Sequence, residues 1–210
     1  MELVPDDRSA EAGLAELLAG PLLPAARGLL GCRLHHGGVT VRITEVEAYA
    51  GTGGDAASHA HRGPTPRNAV MYGPAGHAYV YFTYGMHWCM NVVTGVEGEA
   101  AAVLLRAGEV VDGLATARER RPAIRRDVDL ARGPARLCSA LGIDRAAYGA
   151  DLLGDGPVRL RPPARPVPAE TVVAGPRVGV TGALDLPWRF WLADEPTVSA
   201  YRRHVPRIRR

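Results

Sequence analysis

The stretch AYVYFTYGMHWCMNVV, residues 78–93, reads as two strands folded back on each other. Side chains on an extended chain alternate between faces, so Tyr79 and Tyr81 point one way and Val80 and Phe82 the other. Gly85 is the natural turn residue, because glycine takes positive φ without steric cost. His87 to Val93 form the return strand. Six rings, counting His87, fall between Tyr79 and Trp88 in a chain that is only 6% Phe, Trp and Tyr. Two readings stay open at this point. A core strand favours such residues, which accounts for Tyr79 and Phe82. Alternating aromatics also offer stacking faces for bases, and an apolar hairpin tip acts as a wedge between base pairs. The tip Tyr84-Gly85-Met86 fits the second reading better, since a turn facing water is ordinarily polar.

Outward from the hairpin, Thr40 to Tyr49 reads as a strand. Ile43, Glu45, Glu47 and Tyr49 share one face, and Thr44, Val46 and Ala48 the other. Ala101 to Arg106 is a further strand. Leu14, Leu17 and Leu18 fall on one face of an N-terminal helix, followed by helical Ala25 to Leu30. Residues 110–125 read as a basic helix, and Gly133 to Leu141 as a helix opened by Pro134. A Pro-rich connection, Arg161 to Pro168, leads to strand segments at Pro176–Val180 and Trp188–Trp191. Ala50 to His77 is a long Gly-, Pro- and His-bearing loop, which in a compact domain points to function. No internal repeat is present. Strands and helices interleave without a βαβ rhythm. The expected fold class is therefore α+β, a curved, mostly antiparallel sheet with flanking helices and a protruding hairpin. The 210 residues fit a single domain, 1–210, with 1–20 and 203–210 peripheral.

Composition narrows the function. The formal net charge is +3 and the pI about 9.0. The 25 cationic side chains are all arginine, the better bidentate ligand for phosphate. Arg118, Arg120, Arg121, Arg125 and Arg126, with the tail residues Arg202, Arg203, Arg207, Arg209 and Arg210, form a phosphate-binding or simply a solvated face. Cys32, Cys89 and Cys138 are too far apart for a disulfide framework or zinc module and read as small buried residues. His59, His61, His77 and His87 match no compact zinc spacing, so no metal and no cofactor is expected. No apolar run reaches the roughly 18–20 residues of a membrane span, and the acidic N-terminus is unlike a signal peptide. A cytoplasmic location is expected. The pair Glu45 and Glu47 invites a glycosidase reading. However, Cα atoms two apart on a strand lie only about 6.6–6.8 Å apart with parallel side chains, a poor arrangement for flanking a scissile bond. From this segment alone the carboxylates read as solvated.

Together, ITEVEAYAG, ASHAHRGPTPRNAVMYGPAGHAYVYFTYGMHWCMNVV, AVLLRAGE, GPARLC and PRVGV resemble the alkyladenine DNA glycosylase family, also called DNA-3-methyladenine glycosylases. The likeness runs in order from about residue 20 to 200. It implies a monomeric, cofactor-free enzyme, acting at the nucleoid, that inserts its hairpin into duplex DNA and flips a damaged purine into a pocket. By matched position, Glu47 is the base that activates water, Arg106 lies beside that water, and the backbone carbonyl of Val178 holds it. Tyr49, His59 and Tyr81 sandwich the base, and Asn91 disfavours normal guanine. Tyr84, with Met86, fills the gap left by the flipped nucleotide. Arg67 and Arg136 are candidate phosphate contacts. Between Tyr49 and the histidine the chain is one residue longer than the family pattern, so His61 is the alternative to His59.

A base must leave the stack before it is attacked. A cationic methylpurine is already a good leaving group. The remaining tasks are to stabilise charge on the sugar and deliver water to C1′, which an ionised carboxylate performs. Glycosylases that also nick the strand form a Schiff base through an amine, and no lysine is available here. Borohydride trapping on lesion-bearing DNA is therefore expected to give no covalent adduct; a robust adduct would contradict hydrolysis by water alone.

Overall fold

The computed structural model describes residues 7–201. The tail arginines from Arg202 onward, and the extreme N-terminus, lie outside the described residues. The chain opens with α1 (Asp7–Ala19) and α2 (Leu22–Gly28). Leu14 and Leu18 are buried in the main core and Leu17 packs against it, as the helical spacing predicts. Strands β1 (Arg33–His36) and β2 (Val39–Tyr49) follow, then β3 (Ala78–Thr83), β4 (His87–Val93) and β5 (Ala102–Asp112). Helices α3 (Leu114–Arg120) and α4 (Pro134–Leu141) precede β6 (Arg159–Arg161), β7 (Val172–Gly175) and β8 (Arg189–Leu192). Pro134 opens α4, and Gly142 closes it with φ of 72° in the left-handed region. All strand pairs are antiparallel, and α2 and α4 lie against the central strands β2 and β5. The α+β expectation holds.

The sheet runs β3-β4-β5-β2-β1-β6 and branches at β2. One edge of β2 is paired with β5 throughout. The other is shared: β1 takes Val39 to Arg42, and β8 takes Glu45 to Glu47. The changeover coincides with a β-bulge. Ile43 pairs with Gly108 and Glu45 with Ala107, so Thr44 has no partner across the ladder. A bulge bends its strand and shifts the alternation of side chains by one. Ile43 therefore joins Val46 and Ala48 in the main core, not Glu45 and Glu47 as strict alternation implies. The Thr44 hydroxyl turns to Thr197, at 2.9 Å.

Other expectations shift at element ends. β5 does not stop at Arg106: Val110 pairs with Val41 and Asp112 with Thr40, which leaves only Leu114–Arg120 helical within 110–125. Gly113, with φ of 72°, makes the break. Pro176–Val180 is not a strand. The ladder with β8 is made upstream by β7, and Pro176, lacking an N–H, ends it. β1 and β6 were not expected, and the second is only three residues long.

Gly108 is the tight point of this architecture. A Cβ there would stand 2.5 Å from the Arg42 carbonyl oxygen and still closer to Val41 Cγ1. Gly108→Ala must displace backbone beside the bulge. It is expected to cost about 1–3 kcal/mol, and to lower Tm by about 2–4 °C per kcal/mol. A melting curve unchanged from wild type would show that the bulge has slack.

Candidate active site

The bulge sends Glu45 and Glu47 into the protein, and both are fully buried. The solvated reading of these carboxylates is thereby overturned. Glu47 is held by three donors. The Val178 backbone N–H donates to Oε1 at 2.6 Å, the Tyr49 hydroxyl to Oε2 at 2.8 Å, and Arg106 Nη1 to Oε2 at 3.2 Å. Val178 thus meets Glu47 through its N–H, a contact the expected carbonyl role did not include. Tyr49 stays protonated: burial and then the adjacent Glu47 charge push its hydroxyl well above the ordinary tyrosine range.

Arg106, on β5, divides between the two carboxylates, with Nε 2.8 Å from Glu45 Oε1. Burial opposes its charge, but Glu47 and Glu45 more than compensate and raise its pKa further. Glu45 also accepts from Arg189 Nε at 2.7 Å, Ser199 N at 2.7 Å and Ser199 Oγ at 2.9 Å. Burial alone would raise the Glu45 carboxyl; Arg106 and Arg189 reverse this and hold it below the ordinary range.

Tyr49, which donates to Glu47, also lines a small cavity of about 70 Å³, together with His59, Met71, Tyr79, Tyr81 and Asn91, among others. His59 lines it, whereas His61 is not among its lining residues. His59 Nδ1 sits 2.8 Å from the Tyr79 hydroxyl, and its ring meets Tyr81 edge-on, with centroids 4.6 Å apart. Burial, then the Arg67 charge, lowers the His59 pKa and keeps the ring neutral. The Asn68 amide donates to the His59 carbonyl at 2.9 Å and pins the loop. The Asn91 amide donates to the Tyr79 carbonyl at 3.0 Å.

β3 and β4 pair antiparallel as a hairpin, with Tyr81 opposite Cys89 and Thr83 opposite His87. Met86 N–H closes the turn on the Thr83 carbonyl at 3.1 Å. Within this three-residue loop, Tyr84 to Met86, two residues have positive φ, 51° at Tyr84 and 66° at Gly85. Tyr84 is 86% exposed and Met86 67%.

The methylpurine-DNA glycosylase family model matches residues 16–196. The chain belongs to that family. It is a DNA glycosylase, a hydrolase of N-glycosyl bonds in base excision repair. A protein of Nocardia farcinica named "Putative 3-methyladenine DNA glycosylase" is 58% identical over 184 residues, covering 85% of this chain and 86% of its own. Proteins of the same name from Streptomyces avermitilis and Frankia casuarinae are 53% identical over 202 residues and 50% over 209. These cover 93% and 95% of this chain, and 94% and 97% of their own.

For this glycosylase, the sequence did not single out Tyr79, Arg189, Ser199 or the pair Asp55 and Arg177. Arg177 is almost fully buried. Its Nη1 and Nη2 grip Asp55 at 2.6 and 2.7 Å, and Nη1 also reaches the Ala48 carbonyl at 2.9 Å. Its guanidinium lies 4.6 Å from the centre of the Tyr49 ring. Arg177 therefore braces Tyr49 from behind while its neighbour Val178 holds Glu47. The only signal was an arginine inside the apolar PRVGV, and its partner is 122 positions away.

Other expected residues lie outside the cavity. Arg67 donates to the Phe82 carbonyl at 3.3 Å and lies against Tyr81. Arg136 is exposed on α4. In the basic cluster, Arg118 binds Asp127, Arg126 binds Asp129, Arg120 binds the Gly37 and Ala140 carbonyls, and Arg121 binds the Leu130 carbonyl. These four guanidiniums fasten the α3–α4 region. Cys32, Cys89 and Cys138 are buried free thiols. Among the described residues no helix is long and apolar enough to cross a membrane, and no group of three or more His, Cys, Asp or Glu stands where it would hold a metal ion.

Burial alone would raise the Asp55 carboxyl, but the Arg177 hydrogen bonds outweigh it and hold the group below its ordinary value. A depressed carboxylate contributes stability above its unfolded pKa and loses it as pH falls through the folded one. Asp55→Asn leaves a buried guanidinium without a counter-charge, at a cost of about 3–5 kcal/mol. The Tm deficit is expected to be full at neutral pH and to shrink as pH drops below the ordinary Asp value of 3.8. A deficit independent of pH would contradict the ion pair.

Proposed function

We propose that this glycosylase flips a damaged purine out of duplex DNA into the cavity joined to Glu47 through Tyr49 and releases it by attack of water on C1′, leaving an abasic site. One observation carries the reading: a fully buried carboxylate, fixed by three donors, is joined through the Tyr49 hydroxyl to a cavity lined by aromatic rings. An ionised carboxylate has about four acceptor positions. Three are taken, and the remaining one, on Oε1 beside the Val178 N–H, is where water docks and gives up its proton. The same negative charge stabilises the oxocarbenium-like sugar, with Arg106 as its ion-pair partner.

Tyr49, His59 and Tyr81 supply the stacking faces, Asn91 the discrimination against normal guanine, and Arg67 and Arg136 contact phosphate. Tyr84 and Met86 fill the vacated space in the stack. Base–aromatic stacking is worth about 1–3 kcal/mol, which offsets part of the few kcal/mol that flipping costs. The exposed Tyr84 at positive φ supports this role. The cavity of about 70 Å³ is far below ordinary small-molecule pockets of about 300 Å³ and more. The His59–Tyr81 edge contact therefore opens as the base enters. The substrates are 3-methyladenine, hypoxanthine and ethenoadenine in double-stranded DNA. One cavity serves one lesion, so a monomer suffices, working on DNA in the cytoplasm.

Glu47→Gln keeps the shape of the side chain and removes its charge. It is expected to abolish single-turnover excision on duplexes carrying these three lesions while leaving lesion affinity intact. Excision at the wild-type rate would remove Glu47 from the mechanism. A wild-type protein that binds lesions without releasing base would point instead to a non-catalytic damage binder.

A further inference from the structure

Glu45 has no part in the proposed chemistry, yet the fold buries it completely and surrounds it with four donors from Arg106, Arg189 and Ser199. Arg106 favours it: Nε lies 2.8 Å from Glu45, whereas Nη1 lies 3.2 Å from Glu47. A guanidinium fork fits a single carboxylate with two parallel N–H bonds. Released from Glu45, the Arg106 fork would close on Glu47 and occupy its last acceptor position. Arg189 cannot substitute for Glu45, being a cation itself. It is fixed besides by the Ser199 carbonyl at 2.9 Å and by the Trp191 ring at 4.5 Å.

We propose that Glu45 is a positioning residue: it holds Arg106 by Nε, balances that charge, and keeps Arg106 a single-point partner of Glu47 with one oxygen position open to water. This rests on the reading of Glu47 as the base. The groups facing Glu47 are Tyr49 from its own strand, Arg106 from β5, Arg189 opposite it on β8, and Arg177 and Val178 from the segment after β7. Glu45 is the second carboxylate sharing Arg106.

The test measures single-turnover release of 3-methyladenine from alkylated duplex between pH 5 and 9. The lesion is cationic, so its departure needs no proton from the enzyme. Affinity for a duplex containing a tetrahydrofuran abasic analogue is measured alongside. Glu45→Gln is expected to slow release about tenfold or more, because it blocks a general base, and to change duplex affinity less than about threefold. In an Arg106→Gln background Glu45→Gln should add little, since residues acting as a unit are non-additive. Glu45→Asp retracts the carboxylate from Arg106 and should show the same loss at smaller size; it carries the test if Glu45→Gln does not fold. A residue that only pins strands would lower Tm and leave the release rate unchanged. Wild-type rates in a folded Glu45 variant, or a full additional loss in the Arg106→Gln background, would overturn the proposal. Glu47→Gln, run in parallel, separates the two ideas: if it is active the base assignment falls, and if it is inactive while Glu45 variants keep wild-type rates only the Glu45 proposal falls.

Discussion

Six buried charges organise this molecule. Glu45, Glu47 and Asp55 face Arg106, Arg177 and Arg189, all nearly inaccessible to water. Withdrawing such ions from solvent costs several kcal/mol each, and only close pairing with complete hydrogen bonding offsets it. The three carboxylates and three guanidiniums balance, and every carboxylate is gripped by at least one guanidinium. Such pairs add little net stability over an apolar core. What they provide is geometry: each guanidinium is a rigid fork, so fixing its position fixes the carboxylates around it. Here that geometry is delivered to Glu47.

The bulge at Thr44 is what makes the arrangement reachable. In a regular strand Ile43 and the two glutamates would share a face, and either the core would lose Ile43 or the carboxylates would displace core residues. One extra residue lets Ile43, Val46 and Ala48 all enter the main core while Glu45 and Glu47 meet Arg106. The same residue frees one edge of β2 for β8, which brings Arg189 opposite Glu47. Gly108 across the bulge is the steric condition for it, since a side chain there would strike the Arg42 backbone. Sheet topology and the setting of the two glutamates thus share this irregular stretch, in which Arg106 is in turn the unpaired residue on β5.

This explains what the sequence disclosed and what it withheld. The hairpin was legible because alternation and a glycine turn are local signals, and Tyr84, Gly85 and Met86 lie where the spacing puts them. Glu47 and Arg106 were legible through their family pattern, not through periodicity. The bulge was hidden, because an inserted residue leaves no mark in a run as apolar and polar as ITEVEAY. The burial of Glu45 was hidden for a different reason. Its partners come from β5, β8 and the Ser199 segment, 61 to 154 positions away, and no window of sequence holds them together. Asp55 and Arg177 were missed on the same ground. The extension of β5 to Asp112 was missed because the basic residues beyond it pulled the reading toward helix.

Tyr84 presents the opposite case, a residue placed against its own preference. A non-glycine at positive φ costs about 1–3 kcal/mol unless its surroundings over-determine it, and an aromatic ring at 86% exposure gains nothing from packing. A serine or asparagine would serve the turn better. Nothing in the free protein offsets these two costs, so any offset must come from a surface the ring meets only on binding. The stack of bases opened by a flipped nucleotide is such a surface: planar, apolar on its faces, and matched to a ring held out on a stiff hairpin. On the proposed reading the interior of the protein and its tip divide the work, with paired charges at the reacting end and the exposed ring meeting the DNA.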